Sequence, residues 1–180
     1  MKNYLIISLL FLSLGFSQKE YNVNDLVNMD SVWTEKFSDV PPTGNVFGYF
    51  GEDGNLKKVY VGNLLNGKQE GRWTFWFNNG RKSSEGFYKN GIKDGLETLW
   101  YNNGRKELEG TYKDGKLDGL FTFWYEDGQK EIEGNINVWG RLDGLRTEWY
   151  ENGQKKKEEK YVEGIIFSRK SWNEDGSVKN

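Results

Sequence analysis

Tryptophan recurs along this chain at intervals of 24, 24, 25 and 23 residues, and a glycine follows each of these tryptophans four positions later. A fixed period of this length is the signature of a repeat protein, in which each unit is one small supersecondary element that packs on its neighbours. We therefore expect tandem units rather than a globular domain around one buried pocket. The repeated structural positions are Trp76, Trp100, Trp124, Trp149, Trp172, Gly80, Gly104, Gly128, Gly153 and Gly176.

Two turn signals divide each unit into a pair of strands. Residues 95–118 read GLETLWYNNGRKELEGTYKDGKLD, with Asn-Asn-Gly after the aromatic pair and Lys-Asp-Gly after a run that ends in tyrosine. Asn or Asp before Gly is typical of hairpin loops in which a type I turn ends in a left-handed residue. Helix is a poor alternative, because no apolar stretch between the glycines keeps a period of about 3.6. The sequence predicts an all-β fold, an elongated antiparallel β-meander of about eleven strands in tandem hairpins of about 24 residues.

Three segments are expected along the chain. Residues 1–17 form a signal peptide, residues 18–43 an N-terminal opening strand and cap, and residues 44–180 about six tandem repeats. The first repeat, from near Gly44, is degenerate, and the last, residues 165–180, is truncated after its turn. The unit of residues 119–143 carries one extra residue near 137–140.

The first residues have the pattern of a secretory signal. Lys2 precedes an apolar run, Leu5 to Leu14, that is too short to span a bilayer, and small residues at Gly15 and Ser17 suit cleavage before Gln18. An uncleaved N-terminal anchor is the alternative. No later stretch is apolar enough to cross a membrane. We therefore expect export to the periplasm or the medium, with cleavage near Ser17/Gln18.

Alternation along the strands assigns side chains to two faces. Leu96, Thr98 and Trp100 share one face, which is predicted to pack. The face recurs in the next unit as Leu120, Thr122 and Trp124. A three-residue loop over 102–104 sets a lysine stem across the tryptophan, where it covers apolar area. The pairs expected across this hairpin are Trp100 with Lys106, Thr98 with Leu108, and Leu96 with Gly110.

The opposite face changes from unit to unit and is predicted to be exposed. It is aromatic in the first and third units, and an exposed aromatic patch is a candidate contact surface. The alternative is that neighbouring strands cover both sides of a twisted sheet in part. The candidate contact face comprises Trp73, Phe75, Phe77, Leu99, Tyr101, Phe121, Phe123 and Tyr125.

Residue types narrow the function classes. The chain has no His and no Cys, which excludes Ser-His-Asp and Cys-His catalysis and ordinary zinc sites. Without Lys2, 24 of the 25 basic residues remain against 27 acidic ones, so a net charge of −3 gives no electrostatic case for nucleic acid. Carboxylates in an open sheet are solvated and keep their ordinary pKa values. We expect no enzyme, no catalytic residue and no cofactor.

Aspartates before turn glycines invite comparison with calcium sites. One turn offers only one or two carboxylates, whereas calcium takes about six to eight oxygen ligands. We therefore predict a role in turn geometry and no metal site. These aspartates are Asp53, Asp127 and Asp175.

The repeat resembles a known family. The pattern G-L-x-T-x-W-Y-x-N-G-x-K-x-x-E-G-x-Y-K-x-G-K-x-D is similar to the bacterial variant of the MORN repeat, and residues 95–118 carry it almost without departure. The stretch VPPTG at 40–44 also resembles the entry to the first unit of such proteins. Departures include Glu159 in place of a glycine and Phe50 at the tryptophan position. The resemblance implies one hairpin per repeat and no catalytic motif; some members are described as antitoxins, and eukaryotic members are associated with scaffolding.

Three functional hypotheses follow. The first is an exported, non-enzymatic scaffold that binds another protein, because repeat arrays present long continuous surfaces. The second is a protein that binds glycan or cell wall through its aromatic face. The third is an immunity protein or antitoxin that neutralises one toxin, which rests on the family resemblance alone.

Overall fold

The structure is a computed structural model that describes residues 18–38, 40–51 and 56–179. Most of these residues lie in strands, and a 3₁₀ turn at Val23–Asp25 is the helical element among them. The strands are β1 (Glu20–Asn22), β2 (Leu26–Met29), β3 (Val32–Glu35), β4 (Gly44–Phe50), β5 (Lys57–Leu65), β6 (Lys68–Trp76), β7 (Lys82–Lys89), β8 (Ile92–Trp100), β9 (Lys106–Lys113), β10 (Lys116–Trp124), β11 (Lys130–Ile136), β12 (Gly144–Trp149), β13 (Lys155–Val162) and β14 (Ile165–Ser171).

Twelve of these strands form one sheet in nearly sequential order. The order is β1, then β4 through β14, so every strand from β4 onward pairs with the next strand of the chain. These neighbours are antiparallel, whereas β1 pairs with β4 in parallel, and β2 and β3 form a separate hairpin. The predicted all-β meander of tandem hairpins is confirmed.

The predicted signal peptide, residues 1–17, lies outside the described residues, as does Asp53. In the described part of the chain, no helix is both long and apolar enough to cross a membrane.

The turn after each repeated tryptophan has the predicted geometry. The Gly104 amide donates to the Tyr101 carbonyl at 2.8 Å, and the Tyr101 amide donates to the Arg105 carbonyl at 2.9 Å. This closes a three-residue loop, and Gly104 adopts a φ of +88° at its end. The same two bonds recur at residues 77–81, 125–129 and 150–154.

Substitution at Gly104 should test this turn. Only Arg81 side-chain atoms lie within 4 Å of where its Cβ would stand, the nearest at 3.6 Å, so a side chain has room. The left-handed backbone should nevertheless cost Gly104→Val about 1–2 kcal/mol of stability. Chemical denaturation would measure this loss. Ala in place of the neighbouring Asn102, which has negative φ, is the control, and an unchanged midpoint for Gly104→Val would contradict the turn assignment.

The second turn differs from the prediction in every unit that has one except residues 119–143. Asn90 and Gly91 both have positive φ, +56° and +83°, and connect the paired residues Lys89 and Ile92 directly. Two such residues make a type I′ turn, whose twist matches that of the flanking strands. The same turn occurs at residues 66–67, 114–115 and 163–164. The expected type I turn is wrong here because the loop has only two residues.

A β-bulge in each hairpin overturns part of the predicted register. Trp100 pairs with Lys106 as predicted, but Leu99 then pairs with Leu108, and Glu107 is left without an opposite residue. Thr98 consequently pairs with Glu109, not Leu108, and Leu96 pairs with Thr111, not Gly110. Simple alternation fails because the extra residue shifts every later pair by one.

Neighbouring repeats are joined by side chains that reach one unit ahead. The Lys106 ammonium lies 5.5 Å from the ring centre of Trp124, and the Tyr101 hydroxyl donates to the Trp124 carbonyl at 2.7 Å. Lys130 and Tyr125 make the same two contacts to Trp149, at 5.9 Å and 2.8 Å. The lysine therefore covers the tryptophan ring of the following unit as well as lying opposite that of its own.

The N-terminal segment packs on the first hairpins and completes the apolar core. Trp33 of β3 stacks on Trp73 of β6, with ring centres 5.7 Å apart and planes 25° apart. The Trp73 ring N–H donates to the Asn63 carbonyl at 3.0 Å. The buried core residues are Tyr21, Leu26, Val46, Val61, Leu64 and Trp73.

Candidate contact surface

A row of residues paired from strand to strand crosses the nine strands from β6 to β14 on one face of the sheet. We call it the central row; bulky or charged residues alternate in it with glycines up to β12. Gly134 and Arg146 are neighbours in it, because the Arg146 Cγ lies 3.4 Å from where a Gly134 Cβ would stand. The central row comprises Trp73, Gly86, Glu97, Gly110, Phe121, Gly134, Arg146, Glu159 and Arg169.

The glycines of the central row make room for their neighbours. A Cβ on Gly134 would lie 2.8 Å from the Phe121 ring, and one on Gly110 would lie 2.8 Å from a Leu117 methyl. Neither glycine has positive φ, so the space beside the backbone is what requires glycine here. Phe121 is buried between the two strands that carry these glycines.

Burial contradicts the exposure predicted for two residues of the candidate contact face. Trp73 is fully buried, because the β2–β3 hairpin places Trp33 against it. Phe121 is buried because its ring lies over Gly134. The other members are half-buried, and their contact role stays a prediction; they are Phe75, Phe77, Leu99, Tyr101, Phe123 and Tyr125.

Glu97 occupies the central row where the units before and after it have an aromatic ring, Trp73 and Phe121. It is buried, and Lys93 forms an ion pair with it. Burial, together with the nearby Glu97 carboxylate, raises the pKa values of Tyr88 and Tyr112. Both tyrosines therefore stay neutral beside the Glu97–Lys93 ion pair.

A cluster of charged residues continues the central row at its C-terminal end. Glu159, 1% exposed, accepts hydrogen bonds from Arg169 at 2.6 Å, Tyr161 at 2.9 Å and Arg146 at 3.4 Å. Lys157 lies 3.4 Å from the same carboxylate and 3.1 Å from Glu148. In the preceding unit the paired positions hold Phe121 and Gly134, and here they hold Arg146 and Glu159. The phenylalanine and the glycine are therefore replaced together, by a pair of opposite charge.

These carboxylates predict a pH dependence of stability. Burial opposes their ionisation, yet hydrogen bonds from Arg146 to Glu148, and from Tyr161 and Arg169 to Glu159, hold both pKa values below the ordinary 4.5. Groups with depressed folded-state pKa values contribute stability that is present above the unfolded value and is lost as pH falls through the folded one. We expect denaturation midpoints to fall as pH drops below about 4.5. Glu159→Gln should flatten that dependence, and an equal slope in this variant would contradict the assignment.

Exposed leucines form a second row, contrary to the packing predicted for them. Leu96, Leu120 and Leu145 occupy the same position in three units and are all exposed, although Leu96 and Leu120 were predicted to pack. Among the described residues, no second layer covers this face of the sheet. Their regular spacing was visible in the sequence, but repetition indicates a shared structural position and does not by itself indicate burial.

Exposed apolar side chains gather at the C-terminal end of the sheet. We call this the C-terminal apolar surface; Trp139, Ile165 and Phe167 are each 74% exposed within it. Trp139 lies in the loop between β11 and β12, which joins the β13–β14 turn where the Gly164 amide donates to the Leu142 carbonyl at 2.8 Å. The surface comprises Val138, Trp139, Val162, Ile165 and Phe167.

Two sequence signals could have located this surface. Trp139 is not one of the periodic tryptophans, and it lies within the unit that has an extra residue. Ile165 and Phe167 begin the truncated unit, where the usual Gly-Leu start is missing. Both are departures from the repeat pattern, and such departures indicate units whose exposed side chains differ from those of the other repeats.

Two of the turn aspartates, Asp127 and Asp175, have the geometry predicted for them. Asp127 accepts the Gln129 amide at 2.8 Å, and Asp175 accepts the amide and hydroxyl of Ser177 at 2.9 Å and 2.6 Å. These are local turn contacts of the kind that aspartate provides before glycine. Across 18–38, 40–51 and 56–179, no group of three Asp, Glu, His or Cys residues is arranged to hold a metal ion.

Comparison with known proteins identifies the repeat. The family model described as MORN repeat variant matches residues 69–90, 93–114, 117–137 and 142–163. Each match covers all or nearly all of one strand, the three-residue turn after it and the whole returning strand. No curated protein matches the chain. Four tandem matches, each on one hairpin of a continuous meander, show that the chain belongs to the MORN repeat variant family.

Proposed function

We propose that this repeat protein is an exported, non-enzymatic scaffold that binds another protein through its C-terminal apolar surface. The observation that carries the proposal is the 74% exposure of Trp139, Ile165 and Phe167 at one end of the sheet. Apolar side chains gathered in this way mark interaction sites on soluble proteins. Aromatic anchors such as tryptophan and phenylalanine are also the residues that contribute most at protein interfaces.

The chemistry of the described carboxylates supports a non-enzymatic role. The most buried of them, Glu159, is held ionised by Arg169, Tyr161 and Arg146, and Glu97 is paired with Lys93. A general acid needs a carboxyl group that keeps its proton near neutral pH, which burial without such partners would provide. The partners of Glu159 favour the ionised state of its carboxylate and suit a structural role.

Export is supported by the apolar run of residues 5–14 and by the position of the first strand. β1 begins at Glu20, so cleavage before Gln18 would leave every described strand intact. Intact-mass measurement of the protein isolated from envelope or medium should give a chain that starts at Gln18. A chain of full length in the cytoplasmic fraction would contradict export.

Affinity capture with matched variants tests protein binding. The bait is the exported protein, compared with Ile165→Glu/Phe167→Glu and with Leu96→Glu, which changes an exposed leucine far from the C-terminal apolar surface. We expect one stoichiometric partner that the double variant loses and the Leu96→Glu variant keeps. A partner that both variants retain would place binding elsewhere, and capture of no protein by folded bait would contradict the scaffold. A partner encoded beside this gene would select the immunity hypothesis.

Glycan binding is a second candidate, favoured by one hollow near the N-terminal end. Aromatic rings of Phe47 and Tyr49 line it beside the polar side chains of Glu20, Asn22 and Lys58. Such a combination of rings and hydrogen-bonding groups suits a sugar. Retention on peptidoglycan or polysaccharide that Tyr49→Ala abolishes would support this candidate, and equal retention of both proteins would exclude this hollow.

A further inference from the structure

The two edges of the main sheet are built differently. The N-terminal edge is β1, which has three residues and leads at once into the 3₁₀ turn and the β2–β3 hairpin. The C-terminal edge is β14, which has seven residues and pairs only with β13 among the described strands. Short or covered edges do not accept another strand, whereas a long uncovered edge does.

The last residues leave most of β14 uncovered. The Lys179 amide donates to the Ser171 carbonyl at 2.9 Å, so the chain end pairs with the last residue of β14. On the other side, the Trp172 amide donates to the Lys156 carbonyl at 3.1 Å, toward β13. Because the direction of backbone groups alternates along a strand, Arg169 directs its own N–H and C=O outward with Ser171. These groups can pair with an added strand.

Charge distinguishes this edge from the rest of the chain. Residues 155–171, which form the β13–β14 hairpin, contain six Lys or Arg and three Glu side chains, a net charge of +3. The remaining residues carry 19 basic and 24 acidic side chains, a net charge of −5. Lys160 and Lys170 are exposed on this hairpin beside the apolar Ile165 and Phe167.

We propose that β14 accepts an extended, acidic strand of a partner protein by β-strand addition. Main-chain hydrogen bonds to the outward edge would provide affinity, while apolar contacts to Ile165 and Phe167 and charge complementarity to Lys160 and Lys170 would select the strand. The proposal rests on the proposed function and names the mode of binding and the chemistry of the partner. A second copy of the chain is disfavoured, because pairing two β14 edges would bring two hairpins of charge +3 together.

Synthetic peptides test this mode directly. The protein, expressed from its full-length gene, is titrated with a capped acidic heptapeptide TVEVEVT, with its basic counterpart TVKVKVT, and with TVEVEVT methylated at every backbone nitrogen. We expect the acidic peptide to bind at least about tenfold more tightly than the basic one. The methylated peptide should not bind, because it has no N–H to donate. Amide hydrogen exchange at Arg169 should slow on binding.

A charge-reversed variant provides the matched control. Lys170→Glu changes an exposed side chain and should shift the preference by about tenfold toward the basic peptide. Equal binding of the methylated peptide would overturn strand addition, and equal binding of acidic and basic peptides would overturn the acidic partner. Failure of all peptides, with a captured partner still lost in Ile165→Glu/Phe167→Glu, would overturn this inference and leave the proposed function standing. A dimer of the protein that Phe167→Glu dissociates would show that a second copy occupies the edge.

Discussion

Trp73→Ala should destabilise the protein more than any other tryptophan substitution, by about 3–5 kcal/mol. The ring is fully buried, stacks on Trp33 and donates to the Asn63 carbonyl. Removing it leaves a cavity between the cap and the first hairpins, and the Asn63 carbonyl loses its side-chain donor. Chemical denaturation followed by far-UV circular dichroism would measure the loss.

Two other tryptophans provide the comparison. Trp139→Ala should leave the midpoint nearly unchanged, because that ring is 74% exposed. Trp100→Ala should fall between them, since its ring is half-buried and lies beneath the Lys82 ammonium, 5.6 Å from the ring centre. Equal losses at Trp73 and Trp139 would show that the cap does not pack as described.

Glu159→Ala should cost about 3 kcal/mol, the second largest effect we expect. The carboxylate is buried among Arg146, Arg169 and Lys157, and its removal leaves these positive charges without their shared partner. The neighbouring Glu158→Ala should cost less than about 1 kcal/mol, because its ion pair with Lys155 is partly exposed. Urea denaturation of both variants compares the two carboxylates directly.

A double substitution separates charge from packing at this position. Glu159→Gly with Arg146→Phe recreates the arrangement of the preceding unit, in which Phe121 lies over a glycine. We expect the double variant to recover much of the stability that Glu159→Gly loses alone, because the ring would fill the space and remove one unpaired charge. Additive losses would mean that the two positions do not act as a pair.

The hairpins were predictable because their signals are local. The Asn-Asn-Gly and Glu-Asp-Gly turns follow the repeated tryptophans, and the left-handed Gly104 is found where the sequence placed it. A turn of this kind depends on four or five consecutive residues, which a single unit of sequence contains in full. The fold class therefore followed from the period and the turn chemistry together.

The faces were predicted less well because they depend on contacts outside one unit. Glu107 enters a β-bulge that alternation cannot reveal, and it moves Leu108 and Gly110 to the face of Leu99. Trp73 was expected to be exposed, and its burial comes from Trp33, some forty residues earlier in the chain. The exposure predicted for the candidate contact face was thus wrong at Trp73 and Phe121. The exposed Trp139, by contrast, lies at the extra residue that interrupts the repeat pattern in the sequence.

The lysine and tyrosine contacts to the repeated tryptophans all point in one direction along the chain. A lysine and a tyrosine of one unit contact the ring and the carbonyl of the tryptophan in the next unit. For the last complete unit, Trp172 is this acceptor: Lys155 lies 5.8 Å from its ring centre, and the Tyr150 hydroxyl lies 3.0 Å from its carbonyl. For these lysine and tyrosine contacts, each unit therefore depends on the unit that follows it. Such an array can grow by duplication of an internal 24-residue unit, since a copy brings both donors and acceptor. It cannot be shortened from its C-terminal end in the same way, because every stop before Trp172 leaves a unit without its acceptor.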